Sequence, residues 1–353
     1  MKIGGAMRQN NFIFPDYKKK YFRKFSKIVS TAAYLPEKTI TNDDIINKNK
    51  LAMKDSVIRK SIGVHQRRVA EDNLVDSDIL AFAGKKCMDK SKVHVDKLSR
   101  IISTKFFGDN LLPMTASMVQ RKLGCTYATQ AFDIDGGINS FLQALDLGTR
   151  YINSNDEYIL ITSGGVCNRL ISKTDPRVAF LFGDGAASVL LSCSEEPHFL
   201  ASYFYTNHNY YEFATTQKLK PEHTGSSFEK EDFSLFYDYY NMDNWKHAED
   251  FFRTAAITVR DNLLEESNLN MSDIDLVLVT ENNKPIWEVT LDALGVKQEK
   301  SISLLHSYGN TMSAMLPLLL NEAFSTGQIE SGMNILLLSH GEGFSGGGMI
   351  YKA

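Results

Sequence analysis

Apolar residues along this chain fall into short runs and into helical spacings, and each pattern predicts a different element. Short, mainly apolar runs bounded by polar or glycine-bearing segments predict buried strands. They lie near residues 26–32, 98–104, 130–134, 158–163 and 186–193, and then near 199–206, 275–279, 334–338 and 347–351.

Segments between these runs place apolar residues three and four positions apart, which predicts amphipathic helices. Helices are expected around 41–47, 74–90, 114–123 and 139–152, from about 244 to 266, up to Leu294, and from near Asn310. Strands that alternate with helices indicate a layered α/β fold with a continuous core.

The segment Ala131–Phe141 has the form of an active-site elbow. A strand-like run ends at Asp135, two glycines allow a sharp turn, and a helical pattern begins near Asn139. Enzymes use such a turn to hold a Ser or Cys at a helix N-terminus, where backbone N–H groups face an oxyanion. Here Ile138 stands at that point, and isoleucine cannot attack, titrate or donate.

Three more motifs follow in order: Leu181–Leu191, a glycine-bearing turn before a strand; Tyr308–Pro317, which opens a helix; and Gly341–Tyr351, a glycine-rich loop before the last strand. With the elbow, they make the chain resemble ketoacyl-ACP synthase III and its relatives in the thiolase superfamily, from about Ser26 to the C-terminus.

The resemblance implies a thiolase fold: two pseudo-repeated halves of layered helices and mixed sheets, in the order αβαβα. The expected divisions are a basic extension at 1–23, halves at 24–195 and 196–353, and an aromatic-rich insertion at about 207–243. The aromatic cluster in that insertion would line an acyl tunnel, form a subunit contact, or pack beneath a long loop.

In the family a Cys, a His and an Asn form the active site between the halves. The resemblance puts Ile138 in the cysteine's place, Thr280 in the histidine's place, and Asn310 in the asparagine's place. It also implies that Gly137, Gly341 and Gly343 shape the backbone of the oxyanion site.

These replacements remove the family's chemistry, because condensation requires a thiolate that accepts the acyl group. A hydroxyl at Thr280 still donates one hydrogen bond but cannot act as an imidazole does. Losing a covalent nucleophile costs several orders of magnitude in rate. We therefore expect no ordinary ketosynthase turnover.

Other residues are candidates to replace the missing groups. Among the four cysteines, Cys167 follows a strand and a Gly-Gly pair and is the best candidate nucleophile, although a buried structural thiol is the favoured interpretation. His306 and His340 could approach the cavity, and structural roles are favoured for both. Asn310 either binds substrate or organises the turn before its helix. Glu281 is either a new general base or, as favoured, a solvated loop residue.

Substrate delivery is also altered. Relatives bind the CoA adenine between a tryptophan and an arginine, and the matching tryptophan position holds Val57. Arg169 and Arg177 flank the expected tunnel mouth. The aromatic half of the clamp is therefore missing, whereas binding of an acyl carrier protein through basic residues stays open.

Composition adds limits. The chain has 353 residues and a formal net charge of −3, which gives no electrostatic reason to bind nucleic acid. We predict no membrane span, no metal site and no cofactor. Few cysteines and no signal peptide favour the cytoplasm. The basic extension could dock onto an acidic partner, but a solvated, mobile tail is favoured.

The sequence therefore predicts a catalytically silent structural or regulatory subunit that pairs with an active ketosynthase III-like enzyme. The setting would be fatty-acid, polyketide or secondary-metabolite synthesis, with acyl-CoA or acyl carrier protein as ligand. Two alternatives remain: an acyltransferase, decarboxylase or thioesterase that works without a covalent cysteine, and an acyl-ligand binding module. Homodimer and heterodimer are both open.

Overall fold

Two mixed sheets organise the protein. The computed structural model describes Phe12 and residues 14–17, 20–21, 24–127, 129–135, 137–176, 178–211 and 242–353. The strands are β1 Phe25–Tyr34, β2 Thr39–Thr41, β3 Gln66–Arg68, β4 Arg100–Lys105, β5 Gln130–Asp135, β6 Tyr158–Gly165, β7 Gly185–Ser194, β8 Phe199–Thr206, β9 Leu276–Val279, β10 Asn334–Gly341 and β11 Ser345–Lys352.

Nine α-helices accompany them in the described ranges. They are α1 Asn42–Asn49, α2 Asp55–Ser61, α3 Asp76–Ser91, α4 Thr115–Leu123, α5 Ser140–Asn153, α6 Met242–Ser267, α7 Lys284–Leu294, α8 Leu305–Tyr308 and α9 Met315–Ser325.

The two large sheets repeat one pattern of strand pairing. The first has the order β1-β7-β6-β4-β5 and the second has the order β8-β11-β10-β9. In each, two antiparallel pairings are followed by a parallel one: β1 to β7, β7 to β6, β6 to β4, and then β8 to β11, β11 to β10, β10 to β9. This is the pseudo-repeat that the sequence predicts.

Helices separate and cover the sheets. α5 and α9 contact each other and lie between the sheets, α3 and α4 pack on the first sheet, and α6 and α7 pack on the second. The first half of α9 is apolar because it lies in the centre of the protein: Leu316, Leu318, Leu319 and Leu320 are all buried. The αβαβα layering predicted from the resemblance is confirmed.

Most predicted elements are present, with shifts at their ends. The helix predicted from near Asn310 begins at Met315, because residues before it form a β-bridge from Asn310 to Phe182 and then a 3-10 turn over Met312–Ala314. The helix α2 and the short strands β2 and β3 were not among the predicted elements. Most of the aromatic insertion, 212–241, lies outside the described residues.

Two described residues of the N-terminal extension contradict the prediction of a solvated tail. Of its described residues, Phe12 lies 5.1 Å, ring centre to ring centre, from Phe251 of α6. Lys20 Nζ lies 3.6 Å from a carboxylate oxygen of Asp146. The expectation of a solvated tail is therefore wrong at these positions, where aromatic packing and an ion pair hold the segment to the protein.

Candidate functional site

The candidate site forms where the two central helices begin. α5 follows a 3-10 turn over Gly137–Asn139, and α9 follows the turn over Met312–Ala314. These two turns contact each other, and the first also contacts the end of β10. Strand ends and helix N-termini therefore converge between the sheets, where the resemblance places the site.

Ile138 occupies the centre of this junction as a core residue. Its side chain is 2% exposed and belongs to the main apolar cluster. Its backbone N–H donates to Oε2 of Glu342 at 3.2 Å. Gly137 adopts φ +56°, and a Cβ at Gly137 would overlap the Glu342 carboxylate. A carboxylate of the chain itself therefore occupies the backbone amide that would face an oxyanion.

Glu342 is held in an environment that disfavours its charge. Burial raises the pKa of its carboxyl, while the hydrogen bond from the Ile138 amide works in the opposite direction. Its Oε1 is buried and has no hydrogen-bond partner among the described residues. α5 begins nearby, and the positive end of its helix dipole favours an anion. This interaction offsets part of the cost of burying the charged carboxylate.

The loop that carries Glu342 is fastened to the start of α5 by Asn139. The Asn139 amide donates to Ser345 Oγ at 2.9 Å and accepts from Ser339 Oγ at 2.6 Å. Gly341 packs directly on this amide, where a Cβ would clash, and Gly343 turns the chain at φ +61°. Gly341 therefore serves close packing of the loop, and Gly343 serves its left-handed turn.

The side chains of Thr280 and Asn310 both form hydrogen bonds with other groups of the protein. Thr280 is fully buried, and its Oγ1 lies 3.4 Å from the carbonyl oxygen of Leu338. The Asn310 amide donates to Asn282 O at 3.0 Å, and its Oδ1 accepts from Met312 N at 2.7 Å. This geometry favours the turn-organising interpretation of Asn310.

His340 adds a neutral imidazole beside the site. It is fully buried, and burial lowers its pKa to about 3. Nδ1 lies 3.1 Å from the Tyr205 hydroxyl, and Nε2 has no hydrogen-bond partner in the described part of the chain. An uncharged ring in this place packs against Phe252 at 5.0 Å between ring centres. His306, in contrast, is exposed on α8.

Two family models match the chain around this junction. The model described as 3-oxoacyl-[acyl-carrier-protein (ACP)] synthase III matches residues 132–208, and its C-terminal counterpart matches residues 264–353. The elbow lies in the first match and the glycine-rich loop in the second. The chain belongs to the ketoacyl-ACP synthase III-like proteins of the thiolase superfamily.

Individual relatives span almost the whole chain. The β-ketoacyl-[acyl-carrier-protein] synthase III of Neisseria gonorrhoeae is 29% identical over 335 residues, which cover 93% of this chain and 99% of the relative. The crystal structure of 3-oxoacyl-[acyl-carrier-protein] synthase III from Aquifex aeolicus is 25% identical, covers 93% of this chain and 100% of its own, and superposes with a TM-score of 0.81. The priming β-ketosynthase of the R1128 polyketide pathway superposes with a TM-score of 0.85. It is 19% identical and covers 97% of this chain and 98% of its own.

Outside the junction, the structure contradicts the favoured interpretation of Glu281 as a solvated loop residue. It is 1% exposed and accepts hydrogen bonds from Leu304 N at 2.6 Å, from Leu305 N at 2.9 Å and from Ser303 Oγ. Burial raises its pKa to about 7. Because all these donors lie at the start of α8, this carboxyl caps that helix and is not a solvated loop residue.

Cys167 contacts the loop that carries Phe182 and Gly183. Its thiol donates to Gly183 O at 3.3 Å, it is 4% exposed, and burial raises its pKa well above the ordinary range. A protonated, enclosed thiol is a poor nucleophile. The structure therefore favours the buried structural interpretation.

Besides Cys167, two of the predicted tunnel residues lie in the described part of the chain, Val57 and Arg169. Val57 is 52% exposed on α2. The Arg169 guanidinium donates to the carbonyl oxygens of Glu71 at 3.0 Å and Leu74 at 2.8 Å, so it braces a loop. Arg177 lies outside the described residues. A further arginine, Arg67, is fully buried and donates to Phe180 O at 2.7 Å.

Glu342 is the functional-site residue that sequence reasoning missed. Its partner Ile138 lies 204 positions away, so no local pattern predicts the contact. A signal was nevertheless present, since an acidic residue interrupts a glycine-rich loop whose amides are expected to face an anion.

Two further findings concern ligands and membranes. No three His, Cys, Asp or Glu side chains within the described ranges come together in a way that would hold a metal ion. No helix in that same part of the chain has both the length and the apolar character of a membrane span.

Proposed function

We propose that this protein is a non-condensing structural or regulatory subunit that pairs with an active ketosynthase III-like enzyme. The pair would act in fatty-acid, polyketide or secondary-metabolite synthesis, with acyl-CoA or acyl carrier protein as the substrate of the active partner. We further propose a cytoplasmic location, in keeping with four free cysteines.

The contact between Glu342 and the Ile138 amide carries this proposal. A ketosynthase of this family needs a thiolate at the elbow and free N–H groups for the thioester oxygen. Here the elbow side chain is a buried isoleucine, and its N–H already binds a carboxylate at 3.2 Å. Both requirements for acyl transfer through a covalent thioester at the elbow are therefore unmet at the same place.

An exposed edge of the first sheet supports the pairing. β5 is the last strand of that sheet and has β4 as its only sheet neighbour in the described structure. Near it are large apolar side chains in contact with solvent: Leu111 is 92% exposed, Leu112 is 79% exposed and Tyr127 is 72% exposed. A free strand edge beside exposed apolar side chains is suited to a subunit contact. A partner of the same fold, in a homodimer or a heterodimer, would cover it.

The second candidate is an acyl-thioester activity without a covalent cysteine, such as acyl transfer, decarboxylation or hydrolysis. The buried, partly unpaired polar groups of Glu342 and His340 favour it, because they are chemically competent groups beside the elbow. A third candidate, an acyl-ligand binding module, predicts reversible binding with no chemistry.

Purification from the native host under mild conditions tests the pairing. We expect a second, cysteine-bearing ketosynthase III-like chain at equal abundance, measured by native mass spectrometry. A pure homodimer would contradict the heterodimer and direct attention to acyl-thioester hydrolysis. Point changes at the exposed edge, Leu111→Asp with Leu112→Asp, should separate the two chains, whereas Val57→Asp on α2 serves as the exposed apolar control.

A further inference from the structure

The described residues of the N-terminal extension contact the second sheet and α6 beside the candidate site. Phe12 lies 5.1 Å from Phe251 and 5.6 Å from Tyr210, measured between ring centres. Phe14 lies edge-on to Tyr205 at 5.1 Å. The carbonyl oxygen of Pro15 accepts from the Tyr203 hydroxyl at 2.6 Å. The segment therefore rests on β8 and α6 through aromatic contacts and a hydrogen bond from a tyrosine side chain to its backbone.

The same aromatic cluster reaches the loop that closes the site. Phe251 stacks on Phe344 with ring centres 4.2 Å apart and planes 14° apart. Phe344 is 1% exposed and adopts φ 51°, a left-handed conformation that bulky residues rarely take. Such a conformation persists only where packing over-determines it. Two residues earlier, Glu342 accepts the Ile138 N–H.

A second anchor ties the extension to the central helix. Lys20 Nζ donates to the carbonyl oxygen of Ser202 at 2.5 Å and lies 3.6 Å from Asp146 Oδ1. Asp146 is on α5, the helix that begins at the elbow. The extension is thus held at two places, and both lead to elements that form the site.

We propose that the described residues of the N-terminal extension, Phe12, Phe14, Pro15 and Lys20, form an intramolecular strap that keeps the site closed. Phe12 and Phe14 press Phe251 onto Phe344, and this packing fixes the 341–344 loop with the Glu342 carboxylate on the Ile138 amide. The strap does not depend on the pairing proposed above.

Hydrogen–deuterium exchange of the full chain tests the strap. In the double variant Phe12→Ala with Phe14→Ala, peptides that contain Ile138 and residues 341–345 should exchange faster by about tenfold or more, because local opening becomes easier. Peptides from β4 should keep the wild-type rate. Tyr21→Ala is the matched control, since Tyr21 belongs to the same extension and is 83% exposed.

The outcome is decisive in either direction. Exchange at both peptides within about twofold of wild type, in a double variant with a native circular dichroism spectrum, overturns the strap. If the double variant does not fold, Phe12→Leu keeps apolar volume and removes only the ring contacts. It should then raise exchange at the same two peptides, and no rise there also overturns the proposal. Because exchange needs no partner and no turnover, this result is independent of the proposed function.

Discussion

Replacing Glu342 by alanine should destabilise the protein and expose the Ile138 amide. In the wild type this amide donates to the carboxylate at 3.2 Å inside a junction where Ile138 is 2% exposed. A buried donor left without a partner costs about 1–3 kcal/mol. Burial of the carboxyl opposes its charge, so part of that loss is regained when the group is removed. We therefore expect a net loss of about 1–2 kcal/mol at pH 7.

Glu342→Gln is the matched control, because its amide oxygen can still accept from Ile138 while the charge is gone. Its loss should stay below about 1 kcal/mol. The pH dependence has a defined sign. Since burial raises the folded-state pKa above the ordinary 4.5, the wild type is most favoured over the Gln variant below pH 4.5 and loses that advantage as pH rises.

Urea unfolding followed by tryptophan fluorescence measures these differences, and hydrogen exchange of the peptide containing Ile138 locates them. The Ala variant should exchange faster at that peptide, whereas the Gln variant should stay near the wild type. If Glu342→Ala leaves both the unfolding midpoint and this exchange rate unchanged, the carboxylate does not occupy the amide and the reasoning fails.

Two further predictions follow from buried groups. The folded-state pKa of Glu281 is raised to about 7, so the stability of the wild type relative to Glu281→Gln should fall by up to about 3 kcal/mol between pH 4.5 and 7. Urea titration across that pH range measures this difference. A difference that does not change with pH would be incompatible with a buried Glu281 carboxyl that caps α8. Iodoacetamide should alkylate exposed Cys193 in the native protein and reach buried Cys87 and Cys167 only after unfolding, as peptide mass spectrometry would show; native labelling of Cys167 would reinstate it as a candidate nucleophile.

Local patterns predicted the elements of this fold well where packing follows periodicity. The apolar spacing of Phe251, Phe252, Ala255, Ala256 and Val259 predicted α6, and each of these side chains is buried. The start of α9 was predicted too early, because the Asn310 side chain accepts from Met312 N and the chain turns at a positive φ there before the helix begins.

The resemblance predicts which segments form the site, but the sequence does not predict which side chains are buried or bonded there. The resemblance brought Ile138, Asn310 and the glycine-rich loop to one place, and the structure groups their segments between the two sheets. Burial of Glu281 and the contact of Glu342 with Ile138 depend on partners that are distant in sequence, which no local pattern encodes. Phe12 was likewise assigned to a solvated tail because its partner Phe251 lies on a distant helix.

Turnover of the isolated chain tests the central claim most directly. The purified protein would be incubated with an acyl-CoA and a malonyl-carrier protein, with condensation product, free CoA and covalently bound acyl groups measured by mass spectrometry. The silent-subunit account predicts no product and no acyl adduct above the buffer control. Condensation that a point change in the site, such as Asn310→Ala, abolishes would contradict it.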